Sequence, residues 1–154
     1  MGVVVVGMDM SETSTQALHE AVREAVWRDA TVQVLHVINL PAYLAIELGV
    51  MVPDLGAIRE AGEEAIERHV AEAATSYDDG FPVSVETKVV LGHAGTQILE
   101  AAAEHDAELV VLGSRGLGGF KGLMIGSVTT YAVHHLQTPL LIVPAADDDR
   151  EVSG

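Results

Sequence analysis

Short unbroken apolar runs alternate along this chain with stretches of helical periodicity, and no other feature restricts the fold so tightly. A strand with one wet face shows a polar residue at every second position. A strand covered on both faces reads as a continuous apolar run, which is the mark of a parallel sheet with helices on either side. The runs here are of the second kind. They predict strands at about Val3 to Met8, Thr31 to Val37, Ser84 to Val90, Leu109 to Gly113 and Leu140 to Val143. The first helix is expected to be capped by Ser11 or Thr13, with Gln16 as the capping-box partner of Thr13. Its apolar stripe is Ala17, Leu18, Ala21, Val22, Ala25 and Val26. Further helices are predicted from about Ile58 to Ser76, Ala94 to His105 and Ser127 to Leu136, with an irregular excursion over 39–56. The pattern specifies an α/β fold, a single doubly wound domain over 1–145, followed by an acidic tail at 146–154 expected to be disordered.

In such sheets ligands bind beyond the carboxyl ends of the strands, where the strand order reverses. Two polar features fall at carboxyl ends: Asp9 after strand one, and a glycine-rich segment after strand four. That segment opens as Gly113-Ser-Arg-Gly116 and reaches Gly126-Ser127 nine residues later, at the start of a helix. Glycine lets the main chain approach a phosphate without an intervening Cβ. The helix N-terminus adds unpaired amides and roughly half a positive charge. Between Val89 and Asp149 the only Lys or Arg residues are Arg115 and Lys121, both inside this segment. The combination predicts a nucleotide phosphate site. Valine at Gly113 and Gly126 is expected to abolish binding by filling the phosphate space, while leaving the fold soluble. For Asp9 a ligand role is favoured over that of a helix N-cap or Asx-turn residue, because Ser11 and Thr13 already serve that need.

These residues resemble the universal stress protein family, specifically its ATP-binding branch with the motif G-x2-G-x9-G-[ST]. Gly113, Gly116, Gly126 and Ser127 occupy its fixed positions. Gly7-Met-Asp9-Met-Ser11-Glu12, Leu35-His-Val37 and Thr138-Pro-Leu-Leu-Ile-Val-Pro144 are similar to the family's first, second and fifth strand endings. Met10 stands where the family often has glycine. The resemblance implies a Rossmann-like sheet in the order 3-2-1-4-5 that binds ATP, or ADP or AMP, with Mg or Mn accompanying the nucleotide. Met8 and Asp9 would lie beside it, Asp9 contacting the ribose region or the divalent ion. The backbone of Val37 would meet the adenine edge. Gly113, Arg115, Gly116, Gly126, Ser127, Val128 and Thr129 would wrap ribose and phosphates. It also implies a homodimer paired through Leu140, Leu141, Ile142 and Val143, acting as a cytoplasmic regulatory module for an unknown protein partner.

Charge narrows the partners further. With 23 acidic residues against 8 basic, the net charge is −15, which repels nucleic acid and anionic lipid. There is no cysteine, hence no thiolate chemistry or disulfide. The first apolar run is too short to span a bilayer. The seven histidines lack metal-ligand spacing: His134 and His135 are adjacent and point apart, His36 is in a strand, and His19, His69 and His105 lie on exposed helical patterns. No P-loop lysine or nucleophile elbow is present, so no catalytic residue is assigned. A slow ATP hydrolase or phosphotransferase using a divalent ion near Asp9 is the alternative.

Overall fold

The computed structural model describes residues 1–39, 54–115 and 125–145. Within them the elements run β1 (Gly2–Gly7), α1 (Glu12–Arg28), β2 (Ala30–Ile38), α2 (Leu55–Ala74), β3 (Val85–Leu91), α3 (Ala94–Glu104), β4 (Leu109–Gly113), α4 (Ser127–His135) and β5 (Leu140–Val143). The five strands form one parallel sheet in the order β3-β2-β1-β4-β5. Most of the 39–56 excursion and all of the 146–154 tail lie outside the described residues.

Successive strand residues face opposite sides, so a run buried on both faces feeds two separate cores. Val4, Val6, Val32, Val34 and Val111 pack under α1 and α2. Val5, Leu35, Val110 and Leu112 pack with Ile98 and Ala101 of α3 and Ala132 of α4. Every valine from Val4 to Val6 therefore needs an apolar neighbour, which is why the run has no polar interruption. Val6 pairs with Val34 on one side and Val111 on the other. The strand order thus reverses between β1 and β4, and their carboxyl ends lie side by side.

Several local expectations are corrected. Ser11 caps α1, its Oγ accepting from Ser14 N at 3.1 Å. Thr13 lies inside the helix, so the Thr13–Gln16 capping box does not form. Val26 is 51% exposed and leaves the buried stripe. Each four-residue step advances about 40° around a helix, so the end of a long stripe turns off the sheet. Helix α2 starts earlier than its apolar pattern suggests because the Asp54 carboxylate accepts from Gly56 N and Ala57 N. His19 and His69 are half-buried ties: His19 Nδ1 meets the hydroxyl of Tyr77, in the turn after α2, at 2.9 Å, and His69 Nε2 of α2 meets Thr15 Oγ1 of α1 at 2.7 Å.

Tyr77 carries a pH consequence. Burial first, and the Glu20 carboxylate second, raise its hydroxyl above the ordinary value of 10.0, with Arg23 opposing. A group whose folded pKa is raised contributes stability that is present below the unfolded value and lost as pH climbs through the folded one. Stability should therefore begin to fall above about pH 10. Tyr77→Phe should flatten that alkaline decline, and at neutral pH it should cost about 1 kcal/mol for the lost His19 bond. Thermal melts at neutral and alkaline pH check both expectations.

Candidate functional site

The carboxyl end of β1 enters a tight turn. Met8 N donates to Leu35 O at 2.9 Å, and the Met8 side chain is buried in the core under α1. Met8 O accepts from His36 Nδ1 at 2.7 Å, so His36 carries its proton on Nδ1 and pins β2 to the end of β1. Asp9 Oδ1 then accepts from Ser11 N at 3.0 Å. This is an Asx turn, and the reasoning that Ser11 and Thr13 would relieve Asp9 of structural work is corrected. Ser11 caps the helix, while Asp9 shapes the turn that brings Ser11 into place. Between them Met10 takes φ 66°, a left-handed conformation that side chains other than Gly, Asn and Asp seldom adopt. Val37, near the end of β2, is half-buried, and its side chain packs on the α3–α4 side of the sheet.

At the carboxyl end of β4 the main chain is tied in three directions. Ser114 N donates to Val143 O at 2.8 Å, Ser114 O accepts from Gly126 N at 2.6 Å, and Ser114 Oγ accepts from Ala145 N at 3.2 Å. One buried serine, 7% exposed, thus joins β4 to the exit of β5 and to the start of α4. It stands at a variable position of the glycine motif, so nothing in the spacing marked it. The Thr129 hydroxyl adds a further tie, donating to Gly113 O at 2.8 Å. Helix α4 therefore hangs by its first turn from the end of β4, with its amino end at the switch point. Its N-cap is Gly126, which makes no side-chain cap bond. The φ there is −73°, so glycine is not demanded by backbone conformation.

The side chains of the predicted site residues divide accordingly. Ser127 is exposed at the first helical position. Val128 packs into the core beside α3, and Thr129 is buried, so any ligand contact from these two is through backbone amides. Arg115 is half-buried at the mouth of the segment. Gly116 and Lys121 lie outside the described residues. Gly113 needs a different explanation from the expected one. A Cβ there would sit 2.7 Å from Thr13 Cγ2 and 3.3 Å from the Thr13 carbonyl carbon and oxygen. The absent side chain makes room for the first turn of α1. Valine at Gly113 would damage the fold itself, which corrects the expectation that the fold would tolerate it.

Asp9, the first turn of α1, Gly113 to Arg115 and the amino end of α4 thus converge at one end of the β1–β4 pair. Two helix N-termini face that place, and with them the positive ends of two helix dipoles. The arrangement can hold an anionic group by main-chain N–H donation. Among the described residues no group of three or more His, Asp or Glu side chains is arranged to hold a metal ion. No helix among them is long and apolar enough to cross a membrane.

Comparison with known proteins identifies the fold. The model of the universal stress protein family matches residues 1–144. A universal stress protein of Synechocystis is 29% identical, over 92% of this chain and 97% of its own length. A universal stress protein solved in complex with cAMP superposes with a TM-score of 0.66 at 24% identity, covering 94% of this chain and 98% of that one. A universal stress protein from Archaeoglobus fulgidus, solved in complex with dAMP, gives 0.64 at 18% identity, covering 93% and 98%.

Proposed function

The chain belongs to the universal stress protein family, and from that premise we propose that it binds an adenine nucleotide, ATP foremost, at the carboxyl ends of β1 and β4. The observation that carries this reading is the amino end of α4. It is hung on β4 through Ser114 and Thr129, lacks a side-chain cap, and opens at the switch point beside Arg115. Phosphates lie on its first-turn amides and the glycine segment, adenine beside Val37, and Asp9 faces the ribose or an accompanying Mg or Mn ion. The cAMP and dAMP complexes of its structural neighbours support the choice of base. The site holds the nucleotide and presents that state to a partner protein, and turnover is at most slow.

Pairing of two copies through β5 belongs to the same reading. Leu140, Leu141 and Ile142 form an apolar, half-buried edge strand. The opposite edge, β3, carries Glu86 and Lys88, charges that discourage edge-to-edge pairing.

Calorimetric titration with ATP, ADP, AMP, cAMP and adenosine tests the site. Affinity should fall as phosphates are removed, and the dependence should weaken as salt rises. Arg115→Gln should weaken ATP binding about tenfold, in line with one charged hydrogen bond, while leaving adenosine unaffected. ATP binding no tighter than adenosine would remove the phosphate assignment. Release of ADP at many turnovers per minute would favour the hydrolase reading instead.

A further inference from the structure

The turn between α2 and β3 carries the only Asp-Gly pair of the chain, Asp79-Gly80, and no Asn-Gly pair occurs. An aspartyl side chain is open to attack by the amide nitrogen of the residue that follows it, which closes a five-membered cyclic imide. A Cβ on the following residue crowds that ring, and glycine has none. The other described aspartates precede Met10, Ala30, Leu55, Asp79 and Ala107.

The fold leaves this pair accessible. Asp79 is exposed, and its carboxylate has no hydrogen-bond or ion-pair partner among the described residues. The carboxylates of Asp9 and Asp54, by contrast, accept from the amides of Ser11 and of Gly56 and Ala57. Gly80 has φ 79°, and the place where a Cβ would stand has no atom within 4 Å. Its amide donates to Tyr77 O at 3.4 Å, longer than the usual range, so little holds the nitrogen back.

We infer that Asp79-Gly80 is a self-modification site at which the folded chain converts Asp79 to isoaspartate. With the carboxyl group protonated, Gly80 N attacks Asp79 Cγ. The N–Cγ bond forms, the Cγ–OH bond breaks, and the amide proton leaves with the hydroxyl as water. Water then adds to the imide at the Asp79 main-chain carbonyl carbon and breaks its bond to Gly80 N. The chain now runs through Cβ and Cγ, and the free carboxylate sits on Cα. One water leaves and one returns, so the mass is unchanged and no oxidant or reductant is needed.

The consequence falls on the turn itself. The Tyr77 and Phe81 rings lie 5.1 Å apart and both pack on the core under α1 and α2, while the Tyr77 hydroxyl meets His19 Nδ1. An additional main-chain atom between them lengthens the turn, opens its Gly80 N to Tyr77 O closure and loosens the His19 tie. This turn precedes the amino end of β3, at the opposite end of the parallel sheet from the proposed nucleotide site. The inference therefore stands whether or not that site binds ATP.

Ageing the full chain at neutral pH and physiological temperature, followed by peptide mapping, tests it. The peptide carrying Asp79 should split into two chromatographic peaks of equal mass, and an isoaspartyl-specific methyltransferase should label the new one. Asp79→Glu should give no such product, because its imide would need a six-membered ring. Asp79→Asn should form isoaspartate faster, since ammonia leaves in place of water and no protonated carboxyl is required. The aged, labelled fraction should melt below the fresh protein, as Tyr77→Phe does. Absence of the second peak in the folded protein, or isoaspartate arising first at another aspartate, would overturn the inference. So would an equal yield from Asp79→Glu, and unchanged melting of the isoaspartyl form would overturn its coupling to Tyr77.

Discussion

Gly113→Val is expected to cost the fold about 3 kcal/mol, at the upper end of overpacking penalties. For a chain of this size that lowers Tm by roughly 6–12 °C. The Cβ alone falls 2.7 Å from Thr13 Cγ2 and 3.3 Å from two backbone atoms of the same residue. A flexible side chain could swing away, but the Thr13 carbonyl is part of the first turn of α1 and cannot move without lifting the helix off β4. The methyl group is the part that can be removed. Combining Gly113→Ala with Thr13→Ser should therefore recover part of the stability lost in Gly113→Ala alone, because residues in contact do not act additively. Melting curves of the four proteins measure the coupling. If Gly113→Val melted within a degree or two of the wild type, the packing account of this glycine would be wrong. Loss of nucleotide binding in that variant would then report on the phosphate contact after all.

Ser127→Asp should separate binding from stability, because it acts on them in opposite directions. At the first position of α4 a carboxylate faces the positive end of the helix dipole, which stabilises the helix by about 0.3–1 kcal/mol. The same carboxylate stands where the proposed site receives a phosphate. Like charges at close range cost several kcal/mol, so ATP affinity should drop at least about 100-fold. Adenosine, which brings no phosphate, should lose little. Tm should hold or rise slightly, and calorimetry with ATP and adenosine supplies the other half of the measurement. ATP binding unchanged in a normally melting Ser127→Asp protein would place the phosphates elsewhere.

The two substitutions differ in what could be read without coordinates. The helical start at Ser127 follows from Gly126-Ser127 and the apolar spacing after it, and its bounds agree with the structure at the amino end. The role of Gly113 follows from Thr13, a hundred residues away in sequence, and no local pattern carries that information. Ser114 and His36 were missed for a similar reason. Their partners are main-chain atoms of Gly126, Val143, Ala145 and Met8, and hydrogen bonds to backbone leave no trace in partner identity. The Asx turn of Asp9 went unread because such a turn and an N-cap lie two residues apart and can both be filled, here by Asp9 and Ser11.

By itself the amino-acid order determined the strands, the helices and the parallel sheet buried on both faces. Those properties depend on which side chains avoid water and on where glycine and capping residues interrupt the periodicity, both of which are local. Tertiary structure alone decided that Gly113 yields space to α1, that Ser114 gathers β4, β5 and α4, and that Val26 ends in solvent. Each of these depends on atoms brought together from distant parts of the chain, where close packing leaves room for one arrangement and sequence spacing does not encode it.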